Sequence, residues 1–65
     1  MNVKANILVV DDEMIERQTL SDILRLEGYQ VFSVSNGEAA IDFIRTHLVD
    51  LILSRFISLI ENQPP

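Results

Sequence analysis

Ile7-Leu8-Val9-Val10-Asp11-Asp12-Glu13 sets four apolar residues in a row directly against three consecutive carboxylates. A short apolar run rich in β-branched residues suits a strand buried on both faces, as in a parallel sheet, better than a half-exposed one. The acids then fall at the strand's C-terminal end, where open α/β sheets bind their ligands. Adjacent carboxylates repel one another unless a cation, a proton or a basic side chain neutralises them. Asp11, Asp12 and Glu13 therefore present as a cation site. The competing reading is that an Asp caps the following helix and its neighbours favour the positive end of the helix dipole.

Outward from this stretch the chain alternates. Residues 3–10 read as the first strand. From Met14 the period changes, and Ile15, Leu20, Ile23 and Leu24 recur at helical spacing with Glu16, Arg17, Ser21, Asp22 and Arg25 largely between them. Gly28 is the natural left-handed residue after that helix, which should stop near Glu27. Residues 29–35 alternate around Val31, Phe32 and Val34 as a second strand. Asn36 then serves as N-cap of a second helix, whose inner face is expected to carry Ala40, Ile41, Ile44 and Leu48, flanked by Phe43. His47 near its C-terminus reads as a surface histidine helped by the dipole. Residues 50–53, Asp-Leu-Ile-Leu, make a third strand. Phe56, Ile57, Leu59 and Ile60 have the spacing of a short third helix before Pro64-Pro65. Strand, helix, strand, helix, strand implies right-handed crossovers and a parallel sheet.

Composition narrows the function. Sixty-five residues allow one small domain with a marginal core, and the absence of cysteine removes disulfides and thiolate metal sites. A net charge of −5 without a basic cluster gives nucleic acid little to hold. No apolar stretch reaches the length of a membrane span, and the opening residues lack the layout of a secretory signal, so no membrane and a cytoplasmic location are expected. Three acids side by side on a strand end do not face one another across a substrate gap, and Ser54 and His47 flank the last strand at opposite ends. With a single Gly37 there is no phosphate cradle either, so conventional catalysis is not expected.

The series Ile7-Leu8-Val9-Val10-Asp11-Asp12-Glu13, then Arg17, Leu20 and Leu24, Gly28-Tyr29-Gln30-Val31, Asn36-Gly37-Glu38-Ala39-Ala40 and Asp50-Leu51-Ile52-Leu53 resembles the receiver domain of two-component response regulators. The resemblance covers residues 5–54, and 55–65 read as a divergent tail of the same single domain, 1–65. It implies the N-terminal half of a flavodoxin-like fold: βαβαβ, with a further helix, in parallel strand order 2-1-3. It also implies that Asp11 and Asp12 are the family's magnesium site. The cation would neutralise the charge that accumulates when a phosphoryl group moves to a carboxylate. The family's acceptor aspartate falls on Arg55, which cannot accept a phosphoryl group and is permanently charged. Arg55 either replaces the cation as a built-in counter-charge to Asp11 and Asp12 or belongs to a solvent-facing tail.

A third strand without its neighbour leaves an unpaired edge and bare apolar surface. Leu51, Leu53, Phe56, Ile57, Leu59 and Ile60 are accordingly the expected interface of a homodimer, two third strands pairing across a twofold axis. Three functions follow from the resemblance. The first is a non-catalytic interaction module that meets a histidine kinase, another receiver or itself. The second is a magnesium-dependent phosphotransfer participant completed by another chain. The third is a vestigial or frameshifted receiver fragment.

Overall fold

The computed structural model describes residues 4–54. Five elements succeed one another: β1 (Asn6–Val10), α1 (Met14–Leu26), β2 (Gln30–Val34), α2 (Gly37–Ile44) and β3 (Leu51–Ser54). All pairing is parallel, in the order β2-β1-β3, with Ile7 opposite both Val31 and Leu51 and Val10 opposite both Val34 and Ser54. The expected succession and the expected 2-1-3 order are both present. The tail helix, with Phe56, Ile57, Leu59 and Ile60, lies outside the described residues, as does Arg55.

β1, in the middle, carries the longest run of consecutive apolar residues of the three strands. Ile7, Leu8, Val9 and Val10 are all buried, Leu8 completely. Successive side chains of a strand point to opposite faces, so β1 supplies two cores. On one face Ile7 and Val9 join Val31, and Leu20, Leu24, Tyr29 and Leu53 pack around them. On the other, Leu8 and Val10 join Ala40, with Phe32, Val34, Phe43 and Val49 around them. The helices thus sit on opposite faces, and both lie chiefly over β1 and β2.

β1 and β2 are shorter than the sequence suggests. Lys4 and Ala5 are not part of β1, which begins at Asn6, residue 3 of the expected strand lies outside the described residues, and β2 runs from Gln30 to Val34 rather than over 29–35. β3 is Leu51–Ser54, one residue later than 50–53, because Asp50 is engaged as a clamp. The Asn6 N–H donates to Asp50 Oδ2 at 2.7 Å and the Asp50 N–H donates to the Asn6 carbonyl at 2.8 Å. Asn6 Nδ2 also reaches the Leu48 carbonyl at 3.1 Å.

The inner face of α1 differs from the expected stripe. Leu20 and Leu24 do face the sheet, but Ile15 and Ile23 are 77% and 53% exposed, and Ser21 is buried in their stead. Arg17, Leu20, Ser21 and Leu24 share one side of the helix by their spacing of three and four. A small residue at position 21 lets α1 approach the sheet closely. The Ser21 hydroxyl has no hydrogen-bond partner among the described residues. A buried hydroxyl in that state costs about 1 kcal/mol, and Ala is the better helix former. Ser21→Ala is therefore expected to stabilise the protein by about 1 kcal/mol, or roughly 4–8 °C in Tm for a domain of this size. Thermal unfolding measures it, and a lower Tm would show that the hydroxyl does have a partner.

In α2 the inner residues are Ala40 and Phe43, while Ile41, Ile44 and Leu48 of the expected face are exposed, Leu48 beyond the end of the helix. The C-terminal end of α1 and the N-terminal end of α2 are as the sequence implies, whereas α2 stops at Ile44, short of His47 and Leu48. Gly28 follows α1 with φ +101°, in the left-handed region that side-chain-bearing residues avoid, and Tyr29 N–H returns to the Leu24 carbonyl at 3.2 Å. Asn36 caps α2, its Oδ1 accepting from Ala39 N–H at 2.8 Å. His47 is exposed, stacked on Phe43 with ring centroids 3.9 Å apart, and its Nδ1 is 3.1 Å from the Phe43 carbonyl.

Candidate functional site: the acidic loop and the open strand

The parallel ladder delivers Asp11 to the C-terminal end of the central strand, where its N–H donates to the Val34 carbonyl at 3.1 Å. Its side chain is buried, whereas Asp12 and Glu13 beside it are exposed. Asp11 Oδ1 accepts from Glu13 N–H at 2.9 Å, a short side-chain turn that halts the strand and starts the helix. Glu13 is the N-cap residue of α1 and makes no side-chain cap of its own. The two readings of the acids are therefore compatible: Asp11 organises the helix start, and a carboxylate retains further lone pairs for a cation.

Sequence reasoning left one participant out of this site. Arg17, half-buried on α1, donates from Nη1 to the Asp11 carbonyl at 2.8 Å, and its own N–H closes the first helical turn on the Glu13 carbonyl at 2.9 Å. Its partner is a backbone carbonyl, so no side-chain spacing in the sequence signals the contact.

The donor chemistry suits a hard cation. Mg²⁺ is held through one or two carboxylates while it keeps several waters, so Asp11 and Asp12 with solvent form a reasonable oxygen set. Among the described residues no group of three or more His, Cys, Asp or Glu converges on one point. Ser54 ends β3 opposite Val10, next to this loop across the sheet.

The second candidate surface is apolar. Leu51 is 50% and Ile52 37% exposed, on opposite faces of β3 by the period of a strand. Leu53, expected at the interface, is instead half-buried against Ile7, Val9 and Val31. β3 lies beyond the main footprint of both helices and joins the sheet through β1. A third surface lies at the start of α1. Met14 and Ile15, 68% and 77% exposed, border with Gln18 and Thr19 a shallow depression of about 210 Å³ beside the acidic loop. No described helix is long and apolar enough to cross a membrane.

Comparison with known proteins gives one consistent result. The profile of the response regulator receiver domain matches residues 7–55. Sporulation initiation phosphotransferase F of Bacillus subtilis is 42% identical over 53 residues, covering 82% of this chain and 41% of that protein. A probable transcriptional regulator, ycf27, of Cyanidium caldarium is 44% identical over 48 residues, 74% of this chain and 19% of that one. The aerobic respiration control protein ArcA of Escherichia coli is 33% identical over 48 residues, 74% of this chain and 20% of its own. The chain thus spans between about a fifth and two fifths of these relatives. No solved structure matches it at the same stringency.

Proposed function

Because the chain belongs to the response regulator receiver domain family of two-component signalling, we propose that it works there as a non-catalytic interaction and oligomerisation module. The observation that carries this reading is β3, a strand of buried type whose Leu51 and Ile52 are open to solvent. An apolar edge strand without Lys or Pro, as β3 is over Leu51–Ser54, invites another strand. The nearest such strand is β3 of a second copy, paired antiparallel across a twofold axis to give a six-stranded sheet. The partner's helices then lie two strands away over its own β1 and β2, so the seam has room on each face for further apolar cover.

Arg55 at the acceptor position removes phosphorylation at the usual place, since a guanidinium is no nucleophile for a phosphoryl group. Partner recognition then falls to α1. Met14 and Ile15 form an apolar patch beside Asp12, Glu13 and Glu16, on which a histidine kinase or another receiver can dock. We place the protein in the cytoplasm and assign it no nucleic-acid partner, its charge being −5. Asp11 and Asp12 would hold magnesium, which supplies charge neutralisation around anionic phosphoryl oxygens. Their placement at the strand end favours, as the second reading, a phosphotransfer participant completed by another chain. A vestigial or frameshifted fragment is the third.

Light scattering on the 65-residue chain, with thermal unfolding in the presence and absence of Mg²⁺, separates them. The expected result is a defined dimer with a cooperative melt, split by a Leu51→Lys, Ile52→Lys double variant. A folded monomer overturns the oligomerisation reading, and a polydisperse sample without a cooperative melt supports the vestigial one. Magnesium stabilisation reports on Asp11 and Asp12 separately from either result.

A further inference from the structure

We infer that Arg17 is a positioning residue for the acidic loop, fixing the backbone of residues 11–13 so that the Asp12 carboxylate is directed to the same side as Asp11. This rests on the reading of Asp11 and Asp12 as a magnesium site. The peptide unit that begins Asp12 is the one whose carbonyl Arg17 grips, at 2.8 Å. Its predecessor is anchored to β2 through Asp11 N–H and Val34, and its successor, Glu13 N–H, is held by Asp11 Oδ1. Asp12 is exposed, so its side chain has little packing to orient it and takes its direction from the backbone. Asp11 and Asp12 adjoin in sequence, and neighbouring residues of an extended chain point to opposite sides unless the backbone turns between them. The grip on the Asp11 carbonyl is what holds that turn.

A charged guanidinium beside carboxylates has two opposed effects on a cation. Its charge repels the metal, and its hydrogen bond orders the ligands. Outer residues that orient metal ligands change affinity by about 10- to 100-fold when removed. Arg17 is half-buried and its charge lies inside the screening length of about 10 Å, so its repulsion of a cation is felt at the site. The two effects have opposite signs, so the direction in which the affinity changes tells which of them is the larger.

The test is a titration of the 65-residue chain and two variants with MgCl₂, followed by the backbone amide signals of residues 11–17, together with metal-free amide exchange. Arg17→Met, which keeps the apolar stem and removes the charge, is expected to weaken Mg²⁺ about tenfold. It should also speed exchange of the Glu13 amide about tenfold while the Leu8 and Val31 amides stay within about twofold. Arg17→Lys, which can still donate to the Asp11 carbonyl, should recover some of both losses. Tighter Mg²⁺ binding in Arg17→Met, or an unchanged Glu13 amide, overturns the positioning role. If the unsubstituted chain binds no Mg²⁺, the magnesium reading fails, and the Glu13 exchange alone still decides whether Arg17 orders the loop.

Discussion

Leu8→Ala is expected to abolish the cooperative unfolding transition at room temperature. Leu8 is completely buried in the central strand, among Val10, Ala40, Phe32 and Phe43. Truncating such a side chain costs about 2–5 kcal/mol, the upper half when the surroundings cannot collapse into the space. β1 is held on both sides by parallel pairing, so its backbone has little freedom to move inward. A domain of this length carries about 3–10 kcal/mol in total, so the loss consumes most of it. Leu26→Ala is the matched control: the same deletion at a residue 88% exposed should change stability by no more than about 0.5 kcal/mol. Urea unfolding followed by circular dichroism compares the two, and equal effects would mean that the burial of β1 is wrong.

The second large effect is expected at Asp50. Its carboxylate receives the Asn6 N–H at the point where β1 and β3 begin, 44 residues apart in sequence. Hydrogen bonds to charged groups contribute about 1.5–3 kcal/mol, and exposure puts this one at the lower end. Asp50→Ala should therefore cost about 1.5 kcal/mol, and Asp50→Asn, which keeps an acceptor oxygen, clearly less. The loss should also loosen β3 ahead of the rest, because β3 meets the sheet through β1. Chemical denaturation with probes in β2 and β3 reads both effects. Coincident loss at the two probes, with no change in midpoint, would mean that the clamp does not hold β3.

The succession of strands and helices was legible because each strand is announced by a short apolar run and each helix by a boundary residue with one mechanical role, whereas the order 2-1-3 came from the resemblance to the receiver family. Gly28 takes the positive φ and Asn36 accepts the Ala39 amide, both as their chemistry dictates. The phase of the helices was not legible. α1 carries Met14, Ile15, Leu20, Ile23, Leu24 and Leu26, more apolar residues than one face can hold, and spacing alone does not say which subset meets a sheet. The choice goes to the side with Ser21, since the small side chain permits the closest approach. The same surplus in α2 leaves Ile41 and Ile44 outside. The placement of Asp11 and Asp12 at the end of the central strand was evident from the apolar run that precedes them. The grip of Arg17 depends on a backbone carbonyl, which is not written in any side chain, and the Asn6 clamp joins positions too far apart for a local pattern.

The central place of β1 also bears on how the sheet is assembled during synthesis. Of the three strands, the one made first is the one that ends in the middle, so the topology lets β2 and β3 each be added at a free flank. Growth is by accretion alone: no later strand has to wedge between earlier ones, and no half-built sheet has to open to admit a newcomer. Until β2 arrives, however, the most apolar segment stands bare on both flanks, and the nascent sheet is at its most adhesive in that interval.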